Sequence, residues 1–255
     1  MHLELIAQKE KEGKDKLLQT ISRIDLNRLS ESTFYAILLQ RHWLSHSFTP
    51  VYDIVLNSLS IEADFAKPII RKIIREEYPG KMPSHREDLI TDLLQIGIKH
   101  SEIKKTAPTE ETTEVIKEVF NLIHKFSNDE NFSDIMLLTF LRYWSEVLTA
   151  LEYELLWPRI KKLLNGKDSV FYFPHMVHDK DTDDLCVIAK ARSKGGFTHS
   201  DMLGRRLAKM ISITQNKFKA SSSQISKDSI INSVIEVINY STMNKVNFYG
   251  QFKSL

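Results

Sequence analysis

Three short stretches of this 255-residue sequence gather the residue types that bind metal ions or move protons. The first is Arg75-Glu76-Glu77-Tyr78-Pro79-Gly80, followed by Ser84-His85. The second is Tyr143-Trp144-Ser145-Glu146, inside an otherwise apolar run that holds Leu137, Leu138, Leu141, Val147 and Leu148. The third is His175-Met176-Val177-His178-Asp179, with Asp181, Asp183 and Asp184 just behind it. Imidazole together with carboxylate oxygen suits iron and manganese, and helical bundles supply such donors from facing helices. His175 and Asp179 lie four apart, so on a helix both reach the same side. Glu146 is the most telling residue. A carboxylate among leucines must be neutral, paired or bound to metal.

Each of these residues also has a plainer reading. Glu76 and Glu77 could be solvated at a helix end, and His85 could be a surface histidine at a helix start. Glu146 could pair with Arg142 one turn earlier. Asp181 and Asp184 fit an acidic surface run. Tyr143 and Trp144 are either core aromatics or, through their place beside Glu146, neighbours of a reactive centre. His42 and His46 have the i, i+4 spacing of a zinc pair, but no third ligand is near, which favours ordinary packing.

Helices must position these groups. Apolar residues recur at helical spacing nearly throughout. Ser30 offers an N-cap before the run from Phe34 to Phe48, Ser84 one before His85, and Thr109 one before a helix to about Phe126. A long pattern from Ser133 to Leu164 carries Pro158, which implies a kink or two helices, and Asn165-Gly166 stops it. A charged leader precedes a first short helix marked by Leu17, Ile21 and Ile24. A last amphipathic stretch runs from Ile230 to about Tyr240, followed by a loose tail. Val170–Phe173 is a weak strand signal. The chain has only 8 Gly and 7 Pro, too few for a sandwich or barrel with a turn every ten residues. The reading is an all-α bundle of eight to ten helices, over 1–219, with a Ser-rich linker, a C-terminal helix and a tail over 220–255.

Composition narrows the function. One cysteine, Cys186, cannot make an internal disulfide, a four-cysteine zinc site or a cysteine-held iron–sulfur cluster. No uncharged apolar run reaches the roughly 18 residues of a membrane span, and the N-terminus has charges where a signal peptide needs apolar residues. These features lead us to expect a cytoplasmic protein. No GxGxxG, Walker loop, HExxH or GxSxG is present, and the aromatics lack the pattern of a nucleic-acid platform. The net charge of +2 hides an asymmetry. From Cys186 onward, 11 Lys and Arg against three acids give +8, and the preceding residues carry 24 against 30, or −6. The basic end is either a solvated face or one that attracts an anionic substrate or partner.

REEYPGKMPSHREDLITDLLQIGI resembles the third helical region of the haem-oxygenase-like di-iron oxidases, in which a Glu precedes a bend, a His and a leucine-rich run ending in Gly. Glu146 stands 29 residues before His175, and FYFPHMVHDKD resembles that family's third ligand helix. The resemblance spans roughly 34–191. It implies a seven-helix bundle core, here with extra terminal helices, and ferrous iron, two ions per chain, with O2 as co-substrate. It also implies oxidation of a small substrate that bears a carboxylate or amine. Carried over by position, the ligands are Glu77 (or Glu76), His85, Glu146, His175 and Asp179. The family's last histidine falls on Thr182, and Asp183 or His178 is the expected substitute. Tyr143 is the expected neighbour of the oxidant, and Arg205 and Arg206 are candidates for attracting the substrate's carboxylate. Haem oxygenases fit less well, for want of a glycine-rich distal helix, as do thiaminases, for want of a mid-chain cysteine. The competing class is a degenerate, non-catalytic bundle that binds a small molecule or a partner. A homodimer is compatible with either.

Overall fold

The computed structural model describes residues 2–78, 83–179, 184–190, 198–220 and 227–253. Among them there is no strand, and the chain forms an all-α bundle. The elements are α1 (His2–Ser22), α2 (Glu31–Ser45), α3 (Phe48–Ser58), a 3-10 turn (Ile61–Ala66), α4 (Lys67–Glu77), α5 (His85–Gln95) and α6 (His100–Lys105). They continue with α7 (Glu110–Ser127), α8 (Ser133–Phe140), a π-helical segment (Leu141–Val147), α9 (Leu148–Leu164), α10 (Tyr172–Asp179), α11 (Leu185–Lys190), α12 (His199–Ala220) and α13 (Lys227–Gly250). The expected caps are in place: Ser30 accepts from the Thr33 amide, Thr109 accepts from Thr112, and Ser84 and Glu87 form a capping box. Gly97 and Asn165-Gly166 end α5 and α9 at positive φ.

The axis of the bundle is the continuous run α8–π–α9. Every residue of the π-helical segment is buried, and α12 and α13 pack along it. Trp144 stacks on Phe140, ring centroids 5.2 Å apart, and donates its indole N–H to Asn244 of α13 at 2.9 Å. The long pattern with Pro158 is therefore one rod whose irregularity lies at the π turn rather than at the proline, which sits inside α9.

Three expectations need correction. The charged leader is helical. Ile6, Glu10, Leu17 and Ile21 form a buried stripe on α1 that lies against α13, and Glu10 on that stripe blurs the apolar spacing. The tail is not loose, since α13 continues to Gly250 and buries Asn244, Lys245, Phe248 and Tyr249. Asn244 and Lys245 are core residues with partners. Finally, Val170–Phe173 is no strand but the entry to α10. Buried Asp92 of α5 accepts the amides of Val170, Phe171 and Tyr172 at 2.9, 3.1 and 3.0 Å, and the Ser169 hydroxyl at 2.5 Å. One carboxylate thus satisfies the donors that open a helix. Among the described residues, no helix is long and apolar enough to cross a membrane.

Candidate functional site

α4, α5, the π-helical segment, α10 and α12 converge on one cavity of about 330 Å³. α4 buries Ile69, Ile70 and Ile73 and brings Glu76 and Glu77 to the cavity in its last turn. The capping box fixes His85 as the first residue of α5, where its Nδ1 lies 3.0 Å from Glu77 Oε1. Burial works against a charge on His85, but the Glu77 carboxylate outweighs it and holds the imidazole above its ordinary pKa.

Glu146 enters from the π-helical segment, where the wider turn carries this carboxylate out of an otherwise apolar core. π turns are frequent at functional sites. Its Oε1 accepts a short hydrogen bond from Tyr52 of α3. Burial, reinforced by Glu146, pushes the Tyr52 phenol well above its ordinary pKa, so Tyr52 acts as a fixed donor. Arg142 pairs with Glu10 of α1, and Tyr52 is a partner of Glu146.

His175 reaches the cavity because Asp92 pins the start of α10. Its Nδ1 donates to the Phe171 carbonyl at 2.7 Å. The rings of His175 and His85 stand 4.6 Å apart. The side chain of Asp179, and all of Thr182 and Asp183, lie outside the described residues.

Sequence reasoning missed His199. It opens α12, with Thr198 accepting from the Asp201 amide at 3.1 Å, and its Nε2 lies 3.0 Å from Glu76 Oε2 while its Nδ1 lies 3.9 Å from Glu146 Oε2. The signal was the T-x-x-D capping pattern at Thr198. Lys72 and Arg86 were also missed. They line the cavity, whereas Arg205 lines a separate groove. Tyr143 does not line the cavity. Its hydroxyl donates to the Glu10 carbonyl at 2.9 Å, and Tyr52 is the phenol beside Glu146. Cys186 is buried on α11 and lines no wall of the cavity. His42 and His46 pack on each other with Nε2 atoms 3.1 Å apart, and burial, aided by the charges of His46 and Arg86, drives His42 down to about 4.

The donors suit iron in kind: three carboxylates and three imidazoles around one cavity. As they stand, Glu77 contacts His85 and Glu76 contacts His199. Among the described residues, no three His, Cys, Asp or Glu side chains form a group that could hold a metal ion.

No protein-family model matches the chain, and no curated protein sequence matches it. A solved structure, a TenA family transcription regulator from Silicibacter sp. TM1040, aligns over 100% of this chain and 97% of its own, with TM-score 0.59 and 10% identity. The likeness is one of fold alone, an all-α helical bundle.

Proposed function

We propose that this chain is a non-haem iron oxidase or oxygenase that takes a small carboxylate- or amine-bearing substrate into the cavity. One observation carries this reading. Glu76, Glu77, His85, Glu146, His175 and His199 arrive from five separate elements at a single pocket, and burying that many ionisable groups is costly unless they serve a site. Ferrous iron held by Glu77, His85, Glu146 and His175, with Asp179 and Asp183 as further donors, two ions per chain, would supply the reduction of O2.

The chain's own residues do the rest. Tyr52 holds Oε1 of Glu146 and so orients the carboxylate, and the Phe171 carbonyl sets the tautomer of His175. Lys72 and Arg86 are the cations of the pocket and suit a substrate carboxylate. Phe48, Ile73, Leu89, Phe171 and Pro174 form apolar wall that limits water. A volume of about 330 Å³ sits at the small end of small-molecule pockets, roughly 300–1,000 Å³.

Anaerobic titration with ferrous iron, followed by O2 uptake, tests the reading. Iron retained after desalting and iron-dependent O2 consumption, both lost in Glu146→Ala, support it. The second reading, a non-catalytic binding bundle, is favoured by Thr182 at the last histidine position and by the mutual pairing of the carboxylates and imidazoles. It expects no iron and a Glu146→Ala variant that is neutral or stabilised by loss of a buried carboxylate.

A further inference from the structure

We infer that the cavity wall at the α2–α3 junction, where Thr149 and Arg86 line the pocket and Arg41 and Lys245 lie buried behind it, is the subsite for a ligand's carboxylate. The inference rests on the reading of the cavity as a site for a small carboxylate, says at which end that group lies, and needs no iron.

Two cations stand behind this wall with one carboxylate between them. Glu152 Oε2 accepts from Arg41 Nε at 2.9 Å and from Lys245 Nζ at 3.0 Å. With Lys245 protonated, the group keeps one positive charge in a buried place, where screening by solvent is weak. Residues that line the cavity carry that charge to it. Arg41 Nη1 donates to Ser45 Oγ at 2.7 Å, Arg41 Nη2 to the Tyr153 hydroxyl at 3.4 Å, and Lys245 Nζ to Thr149 Oγ1 at 3.1 Å. Arg41 Cζ and Lys245 Nζ also lie 5.5 and 5.7 Å from the centre of the Phe48 ring, which is part of the same wall.

Thr149 is one donor for the carboxylate. Lys245 takes a lone pair of its oxygen, so the hydroxyl hydrogen points elsewhere. Among the described residues its acceptor is the Trp144 carbonyl at 3.5 Å, beyond the usual length of such a bond. Ser45 is not a donor to the cavity, because its hydrogen goes to the Arg41 carbonyl at 3.1 Å. Arg86 is the second donor. Its Nη2 holds the His46 carbonyl at 3.3 Å and the Thr49 hydroxyl at 3.1 Å, which places the guanidinium at this junction. Among the described residues Arg86 forms no ion pair, and its buried Nε has no partner.

The rest of the cavity suits an anion less. It carries Glu76, Glu77 and Glu146, and Lys72 is exposed and already 3.8 Å from Glu76 Oε1. Lys245, by contrast, is short of counter-charge. Burial pushes its amine down to about 7 against the pull of Glu152, and an anion on Thr149 supplies the negative charge that the amine lacks.

The test uses benzoate as the probe, with benzyl alcohol as its uncharged counterpart, on the full chain at about pH 6, where Lys245 is charged. Titration calorimetry gives affinities for wild type, Thr149→Val, Lys245→Met and Lys72→Met, each shown to be folded by circular dichroism and its urea midpoint. We expect benzoate to bind wild type, and to bind Thr149→Val and Lys245→Met at least about tenfold more weakly. Lys72→Met should stay within about twofold of wild type. Benzyl alcohol should bind wild type and Lys245→Met alike. Benzoate affinity unchanged in Thr149→Val and Lys245→Met would overturn the inference and leave the reading of the cavity as a carboxylate site standing. Equal losses for benzoate and benzyl alcohol would also overturn it, since they would report a reshaped wall rather than a missing charge. A wild-type chain that binds no benzoate would overturn both.

Discussion

Tyr52 of α3 donates its hydroxyl hydrogen to Glu146 of the π-helical segment, a contact between residues 94 positions apart in the sequence. It joins the wall of the cavity to its central carboxylate, and both partners are buried. Tyr52→Phe keeps the ring and removes the donor. A removed outer hydrogen bond typically costs 10- to 100-fold in metal affinity. We expect ferrous iron or cobalt affinity to fall by about tenfold, with a stability loss of roughly 1–3 kcal/mol. Equal affinity in variant and wild type, measured by dialysis, would show that Tyr52 serves packing alone.

Asp92 holds the start of α10 through three backbone amides and the Ser169 hydroxyl. Asp92→Ala strands those donors in a buried place, at a cost of roughly 2–5 kcal/mol. It should also free His175, so that amide exchange at Phe171–His175 accelerates more than exchange in α2 or α7. Uniform acceleration across the bundle would contradict this role.

Behind the cavity, Glu152 Oε2 accepts from Arg41 Nε at 2.9 Å and from Lys245 Nζ at 3.0 Å. Two cations share one buried carboxylate. Burial, helped by the charge of Arg41 and opposed by Glu152, pushes Lys245 from 10.5 down to about 7. Between these values the unfolded chain holds the extra proton, so this group makes stability rise with pH from about 7 to 10.5, and its full penalty is present below 7. Lys245→Met removes the penalty. Its stability relative to wild type should be greatest near about pH 6 and should shrink by about pH 9, as read from urea midpoints. Arg41→Met, which leaves Glu152 with less compensation, should destabilise by roughly 3–5 kcal/mol at either pH. A Lys245→Met difference that is the same at both pH values would refute the shift.

Gly13 lies where α1, the π-helical segment and α13 come closest. A Cβ there would collide with the Tyr143 hydroxyl and with Thr242 Oγ1. Alanine is normally the better helix former by about 1 kcal/mol, yet Gly13→Ala should destabilise by roughly 1–3 kcal/mol through overpacking. Thermal unfolding decides the sign. A raised midpoint would mean that the three helices can spread.

Much of the helical order was legible because caps and stops are local. Ser30, Ser84, Thr109, Gly97 and Asn165 each mark a boundary through their own backbone chemistry. Of the groups now seen at the cavity, Glu77, His85, Glu146 and His175 could be nominated because their spacing resembles that of a known family. His199 could not, since nothing local says that the start of α12 folds back to Glu76. Tyr143 could be nominated because it is close to Glu146 in sequence, but the phenol that reaches Glu146 is Tyr52, 94 residues away. α1 and the end of α13 were misread for a common reason. Glu10, Asn244 and Lys245 look solvated in one dimension and find partners only once distant helices meet.

The pairing of α1 with α13 sets an order of events for the growing chain. The apolar stripe of Ile6, Leu17 and Ile21 emerges first, but the surface it covers is not translated until Val234 and Ile238 have left the ribosome. At synthesis rates of ~5–20 residues per second, α1 waits for on the order of ten seconds or more with that stripe uncovered. Closure of the bundle is therefore a late, long-range step, slow by its topology. A nascent chain stalled before α13 would leave exposed, to chaperones and proteases, the face of α1 that α13 covers.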